Sequence, residues 1–483
     1  MGTVRNIYKN IIFLSSAEVI SKGLQFVLMV YAARLLDKAS FGKFNFALSL
    51  SFIAIIFADM GINTLLIREV ARNKKSASRY FVNSFVVKIF SSIITYFLVV
   101  IVLNMLSYPV DTKNVVYAIW IFTIISTFTE LFYSIFRAFE KMFFDALIKI
   151  TRMVLLAAAG LYVLFRGYGV LAFSIVFIAV ESAMIILAYV IASRNFIILK
   201  PSLNFGFMKE IVKKALPFGI SFVFSTIYFY IGSVMLSKMK GDVEVAVYSV
   251  AYNLALAILF IPTVYTSAIY PVMSRYFKKS KGELVFLYKK SFKYLYIIGL
   301  PISAGIFLLA DRIILYIYGK EYLSSAIALQ IISFSLFIKF LNFLMGFALS
   351  SINRQGRRSF GQGIAAVLNV ALNLALIPVI GYKGAAWSIL ITEIFLFIIY
   401  YWYVSKFLYS YNFLPMLIKP LLASAAMALL ILYSGLGLVL LIPLSAVVYL
   451  AAIFLLKTFE KDDYRILRKI LKKSDVNDGA VYD

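Results

Sequence analysis

The feature that most constrains this chain is a series of long apolar runs separated by short polar or basic breaks. A helix needs about 20 apolar residues to cross roughly 30 Å of hydrocarbon, and most of the sequence divides into runs of that length. The runs lack the period-two alternation of lipid-facing strands, so only helices can satisfy their backbone groups inside lipid. With 63% hydrophobic and 14% charged residues, the chain is predicted to be an all-α integral membrane protein.

The apolar runs predict fourteen transmembrane helices. The predicted spans are residues 11–35, 41–66, 81–106, 115–136, 145–165, 169–193, 214–237, 243–270, 291–310, 326–350, 360–380, 384–405, 417–434 and 438–456.

An internal repeat relates the two halves of the chain. Residues 167–175 read GYGVLAFSI and residues 381–389 read GYKGAAWSI, at an offset of 214 residues. Residues 41–47 (FGKFNFA) pair in the same way with residues 245–251 (VAVYSVA), at an offset of 204. Because each offset spans six predicted helices, the halves have the same orientation and are related by an axis along the membrane normal.

The repeat divides the chain into two six-helix lobes followed by an extension. The predicted parts are an N-terminal lobe (1–200), a C-terminal lobe (201–410), two extra transmembrane helices (411–456) and a basic cytoplasmic tail (457–483). Within the tail, residues 464–473 (YRILRKILKK) predict either an amphipathic helix on the anionic membrane surface or a solvated helix. The basic segment 194–214 is the expected linker between the lobes.

The net charge of +26 is explained by its placement. With the N-terminus in the cytoplasm, 35 of the 48 basic residues fall on the cytoplasmic side and ten on the opposite side. This asymmetry follows the positive-inside rule and predicts a multi-pass protein of the cell membrane with both termini cytoplasmic. The first apolar run lacks a cleavage pattern and indicates a signal anchor. Membrane lipids, and not nucleic acid, are the expected partners.

The chain contains no Cys and no His. Thiolate catalysis, disulfides and the usual zinc sites are therefore excluded, and no metal site is predicted. The sequence also lacks a P-loop, an H-E-x-x-H motif and a G-x-S-x-G motif, so no catalytic residue is assigned and we expect a transporter instead of an enzyme. No cofactor is expected, and coupling to H⁺ or Na⁺ would have to use carboxylates.

Several charged residues fall inside the predicted spans of the first lobe. Glu18 and Lys22 lie four residues apart on one helical face and can form a pair. By residue count, Glu18, Asp59 and Lys88 all lie at a depth of roughly 10 Å from the cytoplasmic surface, with Glu130 at a similar level. Charges in hydrocarbon cost about 2.5 to 3.5 kcal/mol each, which makes them functional candidates. We predict a charged cluster here, the alternative being mutual neutralisation that only holds helices together.

Other polar residues fall deeper in the membrane. Glu181, Lys339 and Glu393 are near the middle of their spans, and Lys339 is a candidate contact for an anionic cargo. Four asparagines can add hydrogen bonds to a sugar, although contacts between helices are the commoner use: Asn253, Asn342, Asn369 and Asn373.

Several stretches of the sequence resemble one known transporter family. They lie within residues 21–36, beginning Ser-Lys-Gly, and within residues 66–70 (LIREV), 317–322 (IYGKEY) and 353–386, which ends in GYKGAA. Together they make the chain resemble the polysaccharide flippases of the superfamily that also contains multidrug and toxin extruders and the lipid II flippase. The similarity covers nearly the whole chain.

The resemblance implies that an oligosaccharide linked to a polyprenyl phosphate or diphosphate is moved from the cytoplasmic to the external leaflet by alternating access, for surface polysaccharide or glycan assembly. Lys22 matches a position where such flippases carry a cation facing the cavity. The expected substrate-binding residues are Lys22, Lys88, Lys339, Asn369 and Asn373. The expected ion-coupling residues are Glu18, Asp59 and Glu130. We expect a monomer.

Three other functions stay open at this point. One is a cation-coupled multidrug exporter, which would need a more acidic and aromatic cavity for cationic drugs. Another is a flippase of the lipid II type. The third is a membrane-embedded glycosyltransferase or ligase, which would normally show a sizeable external loop, whereas the longest external loop here is the short stretch 311–325.

Overall fold

A computed structural model describes residues 2–197, 203–410, 414–460 and 462–463. The predicted tail helix at residues 464–473 and the middle of the linker, residues 198–202, lie outside the described residues. The helices are α1 (Gly2–Leu35), α2 (Lys38–Asp59), α3 (Ile62–Arg72), α4 (Ala77–Met105), α5 (Val110–Ala138), α6 (Met142–Phe165), α7 (Gly169–Asn195), α8 (Phe205–Lys240), α9 (Asp242–Ile258), α10 (Phe260–Lys279), α11 (Lys281–Ile317), α12 (Ser325–Ser351), α13 (Gln355–Ile380), α14 (Tyr382–Phe407), α15 (Leu414–Tyr433) and α16 (Leu438–Leu455).

The all-α membrane fold is confirmed. Thirteen helical segments among the described residues are long and apolar enough to cross a membrane, and they correspond to the second to fourteenth predicted spans. Helix α1 covers the first predicted span. Two short 3₁₀ turns, Lys74–Ser76 and Lys320–Tyr322, complete the secondary structure of the described chain.

Two predicted spans are divided in the structure. The span 41–66 is split between α2 and α3 because Met60 and Gly61 both adopt left-handed backbone angles, with φ of 48° and 81°. The span 243–270 is split between α9 and α10 at Leu259. Pro262 lies in the first turn of α10, where its missing N–H removes a hydrogen bond that would join the two helices into one.

The helices form two bundles that follow the repeat. In the first bundle, α1 packs on α6, and α5 packs on α2 and α7. In the second bundle, α12 packs on α11 and α14, and α13 packs on α8 and α14. The exact lobe boundaries at residues 200 and 410 stay predictions.

Helix α2 makes the main contact between the bundles, along α8 and α9. At its start, Gly42 lies so close to α9 that a Cβ atom there would be 1.8 Å from the carbonyl oxygen of Asp242. At its other end, a Cβ on Gly61 would lie 2.7 Å from the backbone nitrogen of Gly219 in α8. Glycine is therefore required at both ends for the backbones to approach.

Basic side chains reinforce the contact on the side that the charge distribution predicts to be external. The Arg34 guanidinium at the end of α1 donates hydrogen bonds of 2.6 Å each to the carbonyl oxygens of Tyr316 and Ile317 in α11. Lys238 of α8 donates a 2.7 Å hydrogen bond to the Leu106 carbonyl oxygen, after α4. The two bundles are thereby joined at this end.

Helices α15 and α16 lie outside the repeat and pack on α11. Ile297 and Leu309 of α11 form a small apolar core with residues of the two extra helices. Tyr449 of α16 donates a 2.7 Å hydrogen bond to the carbonyl oxygen of Ile297. The start of the tail returns to α11 as well, because Asp463 pairs with Lys290 at 2.8 Å and Lys293 at 2.7 Å.

Candidate functional site

A cavity of about 630 Å³ lies between the two bundles. Its wall is formed by α1 and α2 from the first bundle and by α8, α9 and α10 from the second, with Phe343 of α12. The volume is within the range of about 300 to 1,000 Å³ that is typical of small-molecule sites. A ligand in this cavity would contact both halves of the repeat.

Among the described residues that line this cavity, one is charged, and it is Lys22. Its Nζ lies 3.5 Å from Oε1 of Glu18, the residue one helical turn earlier, and the two side chains are 46% and 47% exposed. The sequence had predicted this pair from its spacing, and the structure confirms the contact. Because the pair is half exposed, an anion entering the cavity can reach the ammonium group without breaking a buried contact.

The rest of the cavity wall combines neutral polar and aromatic side chains. Asn253 of α9 donates a hydrogen bond of 3.4 Å to the Oδ1 atom of Asn45 in α2, across the boundary between the bundles. The rings of Phe52 and Tyr230 stack with their centroids 5.0 Å apart. The cavity therefore offers one cation, several hydrogen-bonding groups and flat apolar surfaces.

Asp59 and Lys88 form a separate pair inside the first bundle. Lys88 of α4 is fully buried, and its Nζ lies 2.6 Å from Oδ1 of Asp59 at the end of α2. The ammonium group also donates to Oδ1 of Asn63 at 3.0 Å and to the carbonyl and hydroxyl oxygens of Thr127 at 2.9 and 2.8 Å. Four helices meet at this lysine, which is not among the residues that line the central cavity.

Glu130 belongs to a third group of charges in the first bundle. Its Oε2 lies 3.7 Å from Arg137, which donates a 2.6 Å hydrogen bond to the buried Asp145. Lys149 approaches the same aspartate at 3.2 Å. The predicted cluster of five charges is thus divided into three groups: Glu18 with Lys22, Asp59 with Lys88, and Glu130 with this network. The predicted cluster does not include this network, although the i,i+4 spacing of Asp145 and Lys149 indicates one of its contacts.

Lys339 lies in a smaller cavity, of about 240 Å³, within the second bundle. Its Nζ is 3.2 Å from Oε1 of Glu393, and both side chains are nearly fully buried. Glu393 also accepts hydrogen bonds from the hydroxyl of Tyr228 and, at 2.7 Å, from Nδ2 of Asn342. Lys339 therefore has a buried carboxylate partner, and its predicted contact with the cargo stays a prediction.

Asn369 and Asn373 connect two helices of the second bundle. Nδ2 of Asn373 donates to the backbone and side-chain oxygens of Asn369, both at 2.9 Å, and Nδ2 of Asn369 donates to Thr392 of α14 at 3.2 Å. Both asparagines are buried and lie outside the lining of the central cavity. In the structure both asparagine side chains form hydrogen bonds that link α13 and α14 or lie within α13. Their role in sugar binding stays a prediction.

Comparison with known proteins identifies the family. A family described as "Polysaccharide biosynthesis protein" matches residues 7–277, which is more than half of the chain. The chain belongs to this polysaccharide biosynthesis protein family. The MatE family also matches residues 217–375 of this member.

Two relatives of this polysaccharide biosynthesis protein have names that indicate their roles. One is "Probable low-salt glycan biosynthesis flippase Agl15" of Haloferax volcanii, which is 21% identical over 377 residues, covering 77% of each chain. Another is "Capsular polysaccharide biosynthesis protein CapF" of Staphylococcus aureus, 23% identical over 410 residues and covering 82% of this chain and 99% of CapF.

The fold of this family member is shared with a solved flippase structure. The structure titled "Lipid II flippase MurJ, inward closed conformation" superposes with a TM-score of 0.76 at 17% identity, covering 92% of this chain and 98% of MurJ. At this identity, the likeness concerns the fold alone.

Among the described residues, no group of three or more His, Cys, Asp or Glu is arranged to hold a metal ion.

Proposed function

We propose that this protein moves a polyprenyl-phosphate- or diphosphate-linked oligosaccharide from the cytoplasmic to the external leaflet by alternating access. The observation that carries the proposal is the position of Lys22, a half-exposed cation in the wall of a cavity shared by both bundles. The names of Agl15 and CapF, which concern glycan and capsular polysaccharide biosynthesis, support the choice of cargo.

The charge of the cavity favours an anionic cargo over a cationic drug. A phosphate group beside Lys22 would gain a charge-assisted hydrogen bond and offset the cost of placing the ammonium group in the membrane. A cationic drug would need a carboxylate in the wall, and the described lining residues include none. The neutral polar and aromatic groups suit a sugar ring next to the phosphate.

Glu18 is the carboxylate best placed to couple transport to an ion. Binding of H⁺ or Na⁺ to Glu18 would weaken its contact with Lys22 and release the ammonium group toward a phosphate. The coupling roles of Asp59 and Glu130 and the substrate contacts of Lys88, Lys339, Asn369 and Asn373 stay predictions. A monomer provides the complete cavity from a single chain.

The test is lipid flipping in proteoliposomes that contain the purified full-length protein. A fluorescent polyprenyl-diphosphate oligosaccharide is the probe, with lipid II and a cationic dye as competing cargoes. Lys22→Ala should slow flipping of the first probe by about 10- to 100-fold, because a hydrogen bond to a charged group contributes about 1.5 to 3 kcal/mol. Lys22→Arg should retain most of the activity.

Glu210 and Lys214 provide a matched control on α8. This pair has the same i,i+4 spacing and nearly the same exposure as Glu18 and Lys22, but it lies outside the described cavity lining. Lys214→Ala should therefore leave flipping unchanged. Dye efflux without sugar-lipid movement would replace the proposal with a drug exporter, and movement of lipid II alone would narrow it to a peptidoglycan precursor. Recovery of a chemically altered probe would indicate an enzyme.

A further inference from the structure

Four small polar side chains occupy one part of the central cavity wall. Asn45 and Ser49 come from α2, and Ser249 and Asn253 come from α9. In each helix the two residues are four positions apart and therefore share one face. We name these four residues the polar quartet.

The internal repeat relates the two halves of the polar quartet. At the offset of 204 residues that aligns residues 41–47 with 245–251, Asn45 corresponds to Ser249 and Ser49 corresponds to Asn253. Each repeat-related pair therefore consists of one Asn and one Ser. Asn comes first along α2, and Ser comes first along α9. The 3.4 Å contact from Asn253 to Asn45 brings the two halves together across the boundary between the bundles.

The chemistry of the polar quartet differs from that of the Lys22 region. Amide and hydroxyl groups both donate and accept hydrogen bonds, as sugar hydroxyls also do. Tyr252 and the stacked rings of Phe52 and Tyr230 lie in the same cavity and offer surfaces for the apolar faces of a sugar. Asn45 Nδ2 donates a 2.8 Å hydrogen bond to the Phe41 carbonyl oxygen, which leaves its Oδ1 for a ligand. At 3.4 Å, the contact from Asn253 to this Oδ1 is longer than the usual N–H···O distance, so a ligand hydroxyl that donates to Oδ1 can replace it at little cost.

The distance from the polar quartet to Lys22 fits a lipid-linked sugar. Lys22 is 13 residues from the end of α1, whereas Asn45 and Ser249 are each seven residues from the start of their helices. All three helix ends are on the predicted external side. At about 1.5 Å per residue, Lys22 lies roughly 10 Å deeper in the membrane than these two residues and about 3 Å deeper than Ser49 and Asn253, one turn further along their helices. That separation allows a diphosphate at Lys22 and the first sugar rings at the polar quartet.

We infer that the polar quartet is a subsite for the hydroxyl groups of a neutral sugar ring, on the side of the cavity away from the phosphate contact. The inference rests on the proposed function and assigns the two parts of the cargo to two parts of the cavity. Lys22 binds the phosphate common to all such cargoes, and the polar quartet recognises the sugar that the phosphate carries. The symmetric origin of the polar quartet means that both bundles hold the sugar.

The test is equilibrium binding of short-chain probes to the full-length protein in nanodiscs. The probes are farnesyl diphosphate alone and farnesyl diphosphate carrying a hexose, an N-acetylhexosamine or a hexuronic acid. The wild-type protein should bind at least one of the neutral-sugar probes about tenfold more tightly than farnesyl diphosphate, as expected for one or two net hydrogen bonds. The hexuronic acid probe should show no advantage over the neutral ones.

The variant Asn45→Ala/Asn253→Ala should lose this tenfold preference and keep the affinity for farnesyl diphosphate, which also shows that it is folded. Ser49→Ala and Ser249→Ala should each lose part of the preference. The control Asn104→Ala/Asn195→Ala removes two asparagines at helix ends outside the cavity and should behave as the wild type. Lys22→Ala should weaken binding of every probe.

The outcomes separate the two proposals. If the wild type binds no diphosphate probe, the proposed function fails. If it binds all probes equally, or if the double asparagine variant keeps the preference, the proposed function stands and the sugar subsite is wrong. An equal loss of affinity for all probes in the double variant would also contradict the assignment of the phosphate to Lys22 and of the sugar to the polar quartet.

Discussion

Two acid–lysine pairs in the first bundle have the same charges and opposite surroundings. Glu18 and Lys22 are both about half exposed and 3.5 Å apart, and Lys22 lines the central cavity. Asp59 and Lys88 are 2.6 Å apart, with the lysine fully buried and held by Asn63 and Thr127 as well. The comparison shows that depth in the membrane does not decide the role of a charge. Access to the cavity distinguishes Lys22, for which we propose a cargo contact, from Lys88, which connects helices.

The largest effect is expected on breaking the buried pair. Asp59→Asn removes the carboxylate and leaves the fully buried Lys88 ammonium group without its charged partner. Breaking such a pair costs about 3 to 5 kcal/mol. We expect a large fall in the unfolding temperature of the detergent-purified protein, measured by thermal denaturation.

Glu18→Gln is the matched control for Asp59→Asn because it breaks the exposed pair of the same bundle. The double variant Asp59→Leu/Lys88→Met should recover most of the lost stability, since apolar residues can replace a buried pair at little cost. An unfolding temperature of Asp59→Asn equal to that of the wild type would show that this pair does not hold the bundle together.

A third contact joins the tail to α11: Asp463, 4% exposed, lies between Lys290 and Lys293, whereas the neighbouring Glu460 is 67% exposed. Burial alone would raise the pKa of Asp463, but hydrogen bonds from Lys290 and Lys293, together with its contacts to Glu460 and Tyr294, lower this pKa to about 2. A carboxylate with a lowered folded-state pKa stabilises the protein above its unfolded pKa of about 3.9. The contribution is lost as the pH falls through about 4 toward 2.

The prediction for this tail contact concerns Asp463→Asn. After allowance for solvent screening, we expect a loss of about 1 kcal/mol at pH 7. The difference in unfolding temperature between wild type and variant should be largest above pH 5 and should shrink on acidification below pH 4. A difference that is constant with pH would show that the charge of Asp463 does not contribute.

The sequence predicts the helices well because each apolar run is long enough to cross a membrane. It does not predict the divisions at Met60–Gly61 and Leu259, because those depend on contacts with α8 and on a proline in a first helical turn. It also predicts that Lys22, Lys88 and Lys339 lie within long helices, as they do in α1, α4 and α12, but it does not predict which way their side chains point. Helices that are apolar on all sides carry little information about which face meets a neighbour, so which lysine faces the cavity depends on packing.

The polar quartet shows where more could have been predicted. Depth in the membrane alone indicates Asn253 as a candidate for sugar contact, but it does not single out Asn45, Ser49 or Ser249. Applying the repeat offset to Asn253 leads to Ser49, and the next turn leads to Asn45 and Ser249. A repeat therefore gives information about a site when it is used to align individual residues, in addition to whole helices.

The smallest effect on stability, and the most specific effect on binding, is expected for Glu18→Gln. An exposed i,i+4 pair contributes about 0.3 to 0.5 kcal/mol, so the unfolding temperature should change little. Loss of the Glu18 charge releases Lys22 from its partner, and the affinity for farnesyl diphosphate should rise by about twofold. Glu210→Gln, which breaks the matching pair on α8, should leave this affinity unchanged. Weaker binding by Glu18→Gln would mean that Glu18 orients Lys22 toward the phosphate. The Glu18–Lys22 pair would then be a preorganised phosphate site, and not a contact that a coupling ion has to break.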